Sequence, residues 1–241
     1  MTVFAQLSDI HLDGGEERAD RTRRVMARLN AMPLDAVLLT GDIADHGDPA
    51  EYAQARELMA SPHPVLMCPG NHDARGPYRK VLLDEPADGS PIDRAHRVGG
   101  ALFAMCDSTV PGEDGGYLSD ATLAWLDGVL GEEPGVPAFV CFHHPPVPLG
   151  IPYVDGIRQT GEDRLAAVIE RHPRIVAVLA GHAHTAGATT FAGRPLIVSP
   201  GVVSTLRLPE EPEDTIDYAA PPGYALHVLD GHRLTTHYRT A

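Results

Sequence analysis

Short apolar, β-branched runs recur along the chain, with amphipathic stretches between them. The alternation predicts strands near 2–8, 35–40, 64–68, 101–107, 137–142 and 174–180, and shorter ones near 186–192, 195–199, 223–229 and 233–238. Helices are predicted at 16–31, 49–60, 119–130 and 161–171. Three helix starts carry local signals. Asp48-Pro49-Ala50-Glu51 supplies a cap, a proline at the first helical position and a glutamate one turn on. Ser119 and Thr160 are the expected N-caps of the next two helices. The alternation in Ala225-Leu226-His227-Val228-Leu229 marks a half-buried strand. Strand–helix alternation followed by a strand-rich last third predicts an α/β (α+β) chain with two packed sheets flanked by helices.

Composition narrows the picture. At 241 residues and 43% hydrophobic content the chain reads as one globular domain spanning 1–241. One break stands out: Leu208 to Gly223 is rich in Pro, Glu and Asp, and the segment 205–222 reads either as a solvated loop or as a lid or dimer-contact segment. The chain starts straight into Thr2-Val3-Phe4-Ala5-Gln6-Leu7, and no run approaches the roughly 18 apolar residues of a membrane span, so no membrane partner is expected and the expected location is the cytoplasm. Cys68, Cys106 and Cys141 lie inside apolar runs and read as reduced core residues. The net charge of −14 argues against binding a nucleic-acid duplex, whose phosphates need Lys and Arg clusters. It does not exclude a small anion, because divalent ions would reverse the field inside a site.

Five segments supply candidate chemistry, each closing an apolar run with metal-ligand residue types. They are Asp9-Ile10-His11, Gly41-Asp42, Gly70-Asn71-His72-Asp73, His143-His144-Pro145-Pro146 and Gly181-His182-Ala183-His184. Residues two apart on an extended segment point the same way, so Asp9 with His11, and His182 with His184, are each expected to reach one ion, Gly181 allowing the turn. Ligands at the C-terminal ends of strands converge on one crevice. Imidazole, carboxylate and amide oxygen without thiolate favour Mn, Fe, Zn or Co. Two bridged ions lower the pKa of a water from about 15.7 towards about 7 and clamp phosphoryl oxygens during in-line attack. His46, His63, His96, His172, His227, His232 and His237 lie outside these segments and read as structural or surface residues.

In that order and spacing the five segments resemble the signature blocks of the calcineurin-like metallophosphoesterases, from Leu7 to at least His184. The resemblance implies a four-layer β-sandwich of two mixed sheets flanked by helices. It implies one divalent ion held by Asp9, His11, Asp42 and His184, and a second by Asp42, Asn71, His143 and His182, with Asp42 bridging. His72 is then a catalytic residue that contacts the phosphate or assists the leaving group, and Asp45 orients it. Asn71 and His72 face substrate; His144 either lines the substrate pocket or serves a supporting role. Within the superfamily the chain looks like the bacterial class III cyclic nucleotide phosphodiesterase and glycerophosphodiesterase branch, on Leu7-Ser8-Asp9-Ile10-His11-Leu12, Gly47-Asp48-Pro49-Ala50-Glu51-Tyr52 and His143 to Gly150. Phosphoprotein phosphatases have Arg-Gly where this chain has His46-Gly47, which argues against that branch.

The implied activity is hydrolysis of a small phosphodiester, a 3′,5′-cyclic nucleotide such as cyclic AMP or a glycerophosphodiester, by attack of a hydroxide on phosphorus; branch members often form homodimers. Two alternatives stay open. One is a phosphomonoesterase or nucleotide pyrophosphohydrolase on the same centre, the other a binding scaffold that has lost catalysis. The loops near 107–118, 147–160 and 205–222 are expected to read the ester's second substituent.

Overall fold

The computed structural model describes residues 1–211 and 214–241. The first part of the chain forms β1 (Thr2–Leu7), α1 (Glu16–Asn30), β2 (Ala36–Thr40), α2 (Pro49–Leu58), β3 (Val65–Cys68) and α3 (Arg75–Leu82). The middle forms β4 (Arg94–Val98), β5 (Ala101–Met105), β6 (Gly116–Tyr117), α4 (Asp120–Glu132), β7 (Ala138–Cys141), α5 (Pro152–Gly156), β8 (Gln159–Thr160), α6 (Glu162–Arg171) and β9 (Ile175–Ala180). The last part forms β10 (Gly187–Phe191), β11 (Arg194–Val198), β12 (Thr205–Leu206), β13 (Ile216–Asp217), β14 (Gly223–Asp230) and β15 (Arg233–Thr240).

Two mixed sheets carry the fold, in the orders β15-β14-β1-β2-β3 and β10-β11-β9-β7-β5-β4. The strands β1, β2 and β3 run parallel, as do β5, β7, β9 and β11, while the outer strands pair antiparallel. Side-chain alternation sorts these strands into layers. Phe4, Leu38, Phe103, Phe139 and Leu179 fill the space between the sheets, with Phe103 stacked on Phe139. Their neighbours Ala5, Leu7, Val37 and Leu39 face the other way onto α1 and α2, and Leu102, Val140 and Val178 onto α4 and α6. The result is the four-layer sandwich of helices, sheet, sheet and helices. Helix α1 shows why its stripe is buried: Ala19, Thr22, Val25, Met26 and Leu29 repeat at helical spacing and are all buried. Cys68 and Cys141 lie between the sheets and Cys106 in the second sheet's outer core; all three are free and buried.

The predicted strands and helices are all present, with ends shifted by a few residues. Glu51 accepts from the Asp48 amide at 3.1 Å, and Ser119 Oγ accepts from the Thr122 amide at 3.0 Å. Thr160 is not a cap: it pairs with Tyr117 in the β6–β8 ladder, and Gly161, at φ 69°, starts α6. Seven elements escaped the pattern: the short β6, α5, β8, β12 and β13, and two longer ones, α3 and β4. Helix α3 contains Gly76-Pro77, which reads as a breaker, yet Pro77 sits in the first turn, where a missing N–H costs nothing. Strand β4, Arg-Ala-His-Arg-Val, is an edge strand with little to bury. Among the described residues no helix is long and apolar enough to cross a membrane.

Candidate metal centre

Every candidate ligand-bearing segment begins just past a buried strand. β1, β2, β3, β7 and β9 end at Leu7, Thr40, Cys68, Cys141 and Ala180, two or three residues before Asp9, Asp42, Asn71, His143 and His182. Hydrogen bonds then tie the strand ends together, one between the two sheets and one within each. Gln6 Nε2 donates to the Ala180 carbonyl at 2.9 Å, Ser8 Oγ to the Thr40 carbonyl at 2.8 Å, and the Gly181 amide to the His143 carbonyl at 2.9 Å.

The backbone there is not extended, contrary to the expectation from i, i+2 spacing. Asp9, His11, Asp42, His182 and His184 have φ of 57°, 42°, 51°, 70° and 51°, the left-handed region that non-glycine residues seldom enter. Asp84 and Ala192 are the other two non-glycine residues with positive φ among those described. Strain concentrated on five candidate ligands marks a site that the surrounding structure holds in place. The nearby glycines are there for close approach. A Cβ on Gly70 would lie 2.2 Å from Asp42 Oδ1, and one on Gly181 1.9 Å from Ser8 Oγ. Gly181 itself does not adopt a positive φ, so its role is space and not the turn expected of it.

The donor atoms converge. Asp42 Oδ2 stands 3.3 Å from His11 Nε2 and 3.2 Å from His143 Nε2. His11 Nε2 is 3.2 Å from His184 Nε2, which is 3.5 Å from Asp9 Oδ1. On the other side of Asp42, His143 Nε2 is 3.1 Å from His182 Nδ1. Two groups of donors therefore share one carboxylate. Asn71 Oδ1 and His182 Nε2 are buried with no hydrogen-bond partner, an arrangement that costs free energy unless something else satisfies them. Paired imidazole nitrogens, carboxylates and an orphaned amide oxygen fit divalent metal ions well.

The second nitrogen of most of these rings is anchored, which fixes the tautomer and aims the first. His143 Nδ1 donates to the Thr40 carbonyl at 2.8 Å, His184 Nδ1 meets Ser204 Oγ at 2.8 Å, and His11 Nδ1 meets Asp45 Oδ1 at 3.0 Å. The Asp45 carboxylate turns to His11 and to Arg18 (Nη1 to Oδ2, 2.7 Å), and stays 3.9 Å from His72 Nδ1. His72 is held by the main chain instead, its Nδ1 donating to the Asp45 carbonyl at 2.8 Å. His144 is buried beside the centre with both nitrogens engaged, by Ser108 Oγ at 2.8 Å and the Asp114 carbonyl at 3.2 Å. Asp73 clamps two of the candidate ligand loops, accepting from the amides of Ile43, Ala44 and Gly70 at 3.1, 3.0 and 2.8 Å.

Electrostatics follow from burial opposed by neighbours. Burial pushes the Asp9 carboxyl up to about 6, the His143 charge offsetting part of the effect. Burial would also raise Asp42, but His143 and His11 hold its carboxyl well below the ordinary range. His143 answers in kind: burial pulls it down, Asp42 and Asp9 outweigh that, and it rises to about 9. His182 falls to about 3 and His184 well below its ordinary value, through burial and the other imidazoles. The centre thus draws positive charge to Asp42.

A cavity of about 440 Å³ opens over the centre. His11, Asp42, Asn71, His72, His182 and His184 line it, with Asp45 and Arg18. His144 is not among the lining residues. Each of the three loops expected to read substrate reaches the cavity, through Asp114, through Tyr153, Val154 and Ile157, and through Leu206, Ile216 and Tyr218.

Similarity to known proteins meets this geometry. The family model described as calcineurin-like phosphoesterase matches residues 2–186. The chain belongs to this family. Calcineurin-like phosphoesterases are metal-centred hydrolases, and the aspartates and histidines of the present chain cluster accordingly. A cAMP/cGMP dual specificity phosphodiesterase of Mycobacterium tuberculosis is 33% identical over 211 residues, covering 82% of this chain and 66% of that one. The glycerophosphodiester phosphodiesterase GpdQ of Enterobacter lignolyticus is 32% identical, covering 93% and 86%. The 3′,5′-cyclic adenosine monophosphate phosphodiesterase CpdA of Pseudomonas aeruginosa is 30% identical, covering 97% and 88%. A dimetal phosphatase from Danio rerio shares the fold at a TM-score of 0.72 and 16% identity, covering 99% and 96%.

Several residues of the site carried no sequence signal. Arg18 follows His11 by seven positions on α1, and Ser204 sits in an unpatterned loop. Asp73 was visible as the last residue of Gly70-Asn71-His72-Asp73, but its bonds to Ile43 and Ala44 span some thirty residues.

Proposed function

We propose that this calcineurin-like phosphoesterase hydrolyses small phosphodiesters, 3′,5′-cyclic nucleotides such as cyclic AMP or glycerophosphodiesters, at a two-metal centre, working as one domain. The observation that carries the reading is Asp42 Oδ2 standing 3.3 Å from His11 Nε2 and 3.2 Å from His143 Nε2, a shared corner between two donor groups. Asp9, His11, Asp42 and His184 would hold one ion, and Asp42, Asn71, His143 and His182 the other. Bound there, the ions supply a water of lowered pKa and offset charge on the phosphoryl oxygens.

The chain's own residues do the rest. Asp45 and Ser204 hold the rings of His11 and His184, and the Thr40 carbonyl holds that of His143. His72 is 40% exposed on the cavity wall; with Nδ1 tied to a carbonyl, its Nε2 is left to meet the ester. Protonated, that atom donates to the leaving oxygen or to charge developing in the transition state. His144, neutral and fully bonded, packs behind His143 and His182 as support.

A diester is favoured over the monoester alternative by the charges around the centre. Arg18 is the one Lys or Arg among the described lining residues, and Asp45 (2.7 Å) and Asp13 (3.3 Å) already engage it. Asp114 adds negative charge to the wall. Bound ions would attract either anion, but among the described lining residues no unengaged Lys or Arg meets the second charge of a monoester. For residues 205–222, of which 212 and 213 lie outside the described set, Leu206, Ile216 and Tyr218 on the wall support a lid over a dimer contact.

The test is turnover of bis-(p-nitrophenyl) phosphate against p-nitrophenyl phosphate, with manganese added and with metal stripped. Manganese-dependent preference for the diester is expected. Preference for the monoester would move the chain to the phosphatase reading, and no metal-dependent turnover on either would leave only a scaffold.

A further inference from the structure

The cavity lining is of two chemical kinds. Its floor is carboxylate and imidazole; its upper wall is Tyr153, Val154, Ile157, Leu206, Ile216 and Tyr218. Two of these are large, aromatic and exposed: Tyr153 at 67% and Tyr218 at 57%. An exposed ring on a loose loop would signify little, but both loops are braced. The Asp155 carboxylate accepts from the amides of Leu149 at 2.6 Å and Gly150 at 3.0 Å, fixing the turn that carries Tyr153. Arg21 reaches from α1 to the carbonyls of Val202 at 2.8 Å and Tyr218 at 3.1 Å. Asp217 Oδ1 takes the amides of Ala219 at 2.8 Å and Ala220 at 3.0 Å. Rigid support beneath a wet aromatic surface is what a preorganised binding wall needs.

We propose that Tyr153 and Tyr218 are specificity-determining residues, a stacking wall that selects phosphodiesters whose second substituent carries a planar nucleobase over those carrying an alkyl headgroup. The inference rests on the phosphodiesterase reading above. The occupant follows from continuity. The same cavity joins the donors that would hold a phosphate to these rings, so one ligand spans both. Its distal part must be apolar on its faces to be stabilised by tyrosine, valine, isoleucine and leucine. A nucleobase offers π-faces of that kind; a glycerol or ethanolamine group offers hydroxyl or ammonium. Tyr218 lies beyond the matched family residues 2–186.

Two readouts test the wall on the manganese-loaded protein. In the first, Tyr153→Ala, Tyr218→Ala and the corresponding Phe variants are assayed on cyclic AMP and on glycerophosphoethanolamine. Each Ala change is expected to raise KM for cyclic AMP by about tenfold, with kcat within twofold, glycerophosphoethanolamine turnover unchanged and Phe restoring the wild-type KM. Equal losses on both diesters, or none on cyclic AMP, would overturn the proposal. In the second, 2-aminopurine riboside 3′,5′-cyclic phosphate is titrated against the protein. Stacking is expected to quench its emission in the wild type and not in the Ala variants; binding without quenching in the wild type would overturn the proposal even if turnover were normal. Conversely, quenching by a protein that turns over neither diester would uphold the wall and sink the phosphodiesterase reading.

Discussion

The floor and the wall of one cavity are built on opposite principles. The floor is buried, strained and crowded: five of its residues have positive φ, and glycines stand where any side chain would collide with Asp42 or Ser8. The wall is largely apolar and carried on short segments between the main strands and helices, with Tyr153 and Tyr218 exposed beside hydrogen-bonded turns. The lesson is a division of labour. Chemistry needs atoms placed to tenths of an ångström, so it is written into strand ends and backbone strain. Selectivity needs a surface that can change without disturbing that placement, so it lives on loops.

The comparison can be broken at four points. Asp42→Ala removes the corner shared by both donor groups. Diester turnover is expected to fall by about a thousandfold or more, equally for cyclic AMP and for glycerophosphoethanolamine; loss on one substrate alone would contradict the division. His72→Ala is next. The histidine touches the cavity but sits outside both donor groups, so kcat should drop by roughly a hundredfold or more while bound manganese stays at wild-type level. Full turnover of a natural diester by that variant would remove His72 from the chemistry. Asp45→Ala is milder. It frees His11 Nδ1 and Arg18 together, and manganese affinity should fall by about 10- to 100-fold, read by titration into stripped protein.

The smallest effect on catalysis belongs to a histidine that is buried without being part of the floor. His227 sits between the sheets, bonded to Thr236 Oγ1 at 2.9 Å and Gln6 Oε1 at 3.2 Å, and burial pulls its pKa down to about 3. Below about pH 6.5 the unfolded chain takes a proton that the folded chain refuses until about pH 3. The neutral form's contribution is thus complete above 6.5 and is lost as pH falls towards 3. Wild-type stability should decline relative to His227→Gln by about 1.4 kcal/mol per pH unit in that window, measured by denaturant unfolding at pH 7 and pH 5, with turnover of the variant near wild type at pH 7. Parallel stability profiles would show that His227 is protonated in the fold.

The same division explains what the amino-acid sequence disclosed. Strand ends announce themselves because a buried parallel strand is a continuous apolar run, and residues of metal-ligand type that close such a run are conspicuous. Asp9, His11, Asp42, Asn71, His143, His182 and His184 were legible for that reason, and so was the layered fold. The left-handed backbone of five of them was not, because no local pattern distinguishes Asp9 at φ 57° from an extended aspartate. Long-range partners were equally silent. Ser204 meets His184, and Arg21 meets Tyr218, across gaps that periodicity cannot bridge. Asp45 shows the intermediate case: its neighbourhood was foreseen, but its carboxylate chose His11 and Arg18 while its carbonyl took His72. Helix α3 and the edge strand β4 were missed because their sequences are a breaker pair and a polar run, shaped by tertiary setting more than by propensity.

The most direct test is the number of manganese ions held per chain after stripping and reconstitution, by elemental analysis of the wild type and of Asp42→Ala. Two donor groups sharing Asp42 predict two ions in the wild type and at most one weakly held ion in the variant. A wild-type chain that retains no manganese, or an Asp42→Ala chain that retains two, would contradict the account.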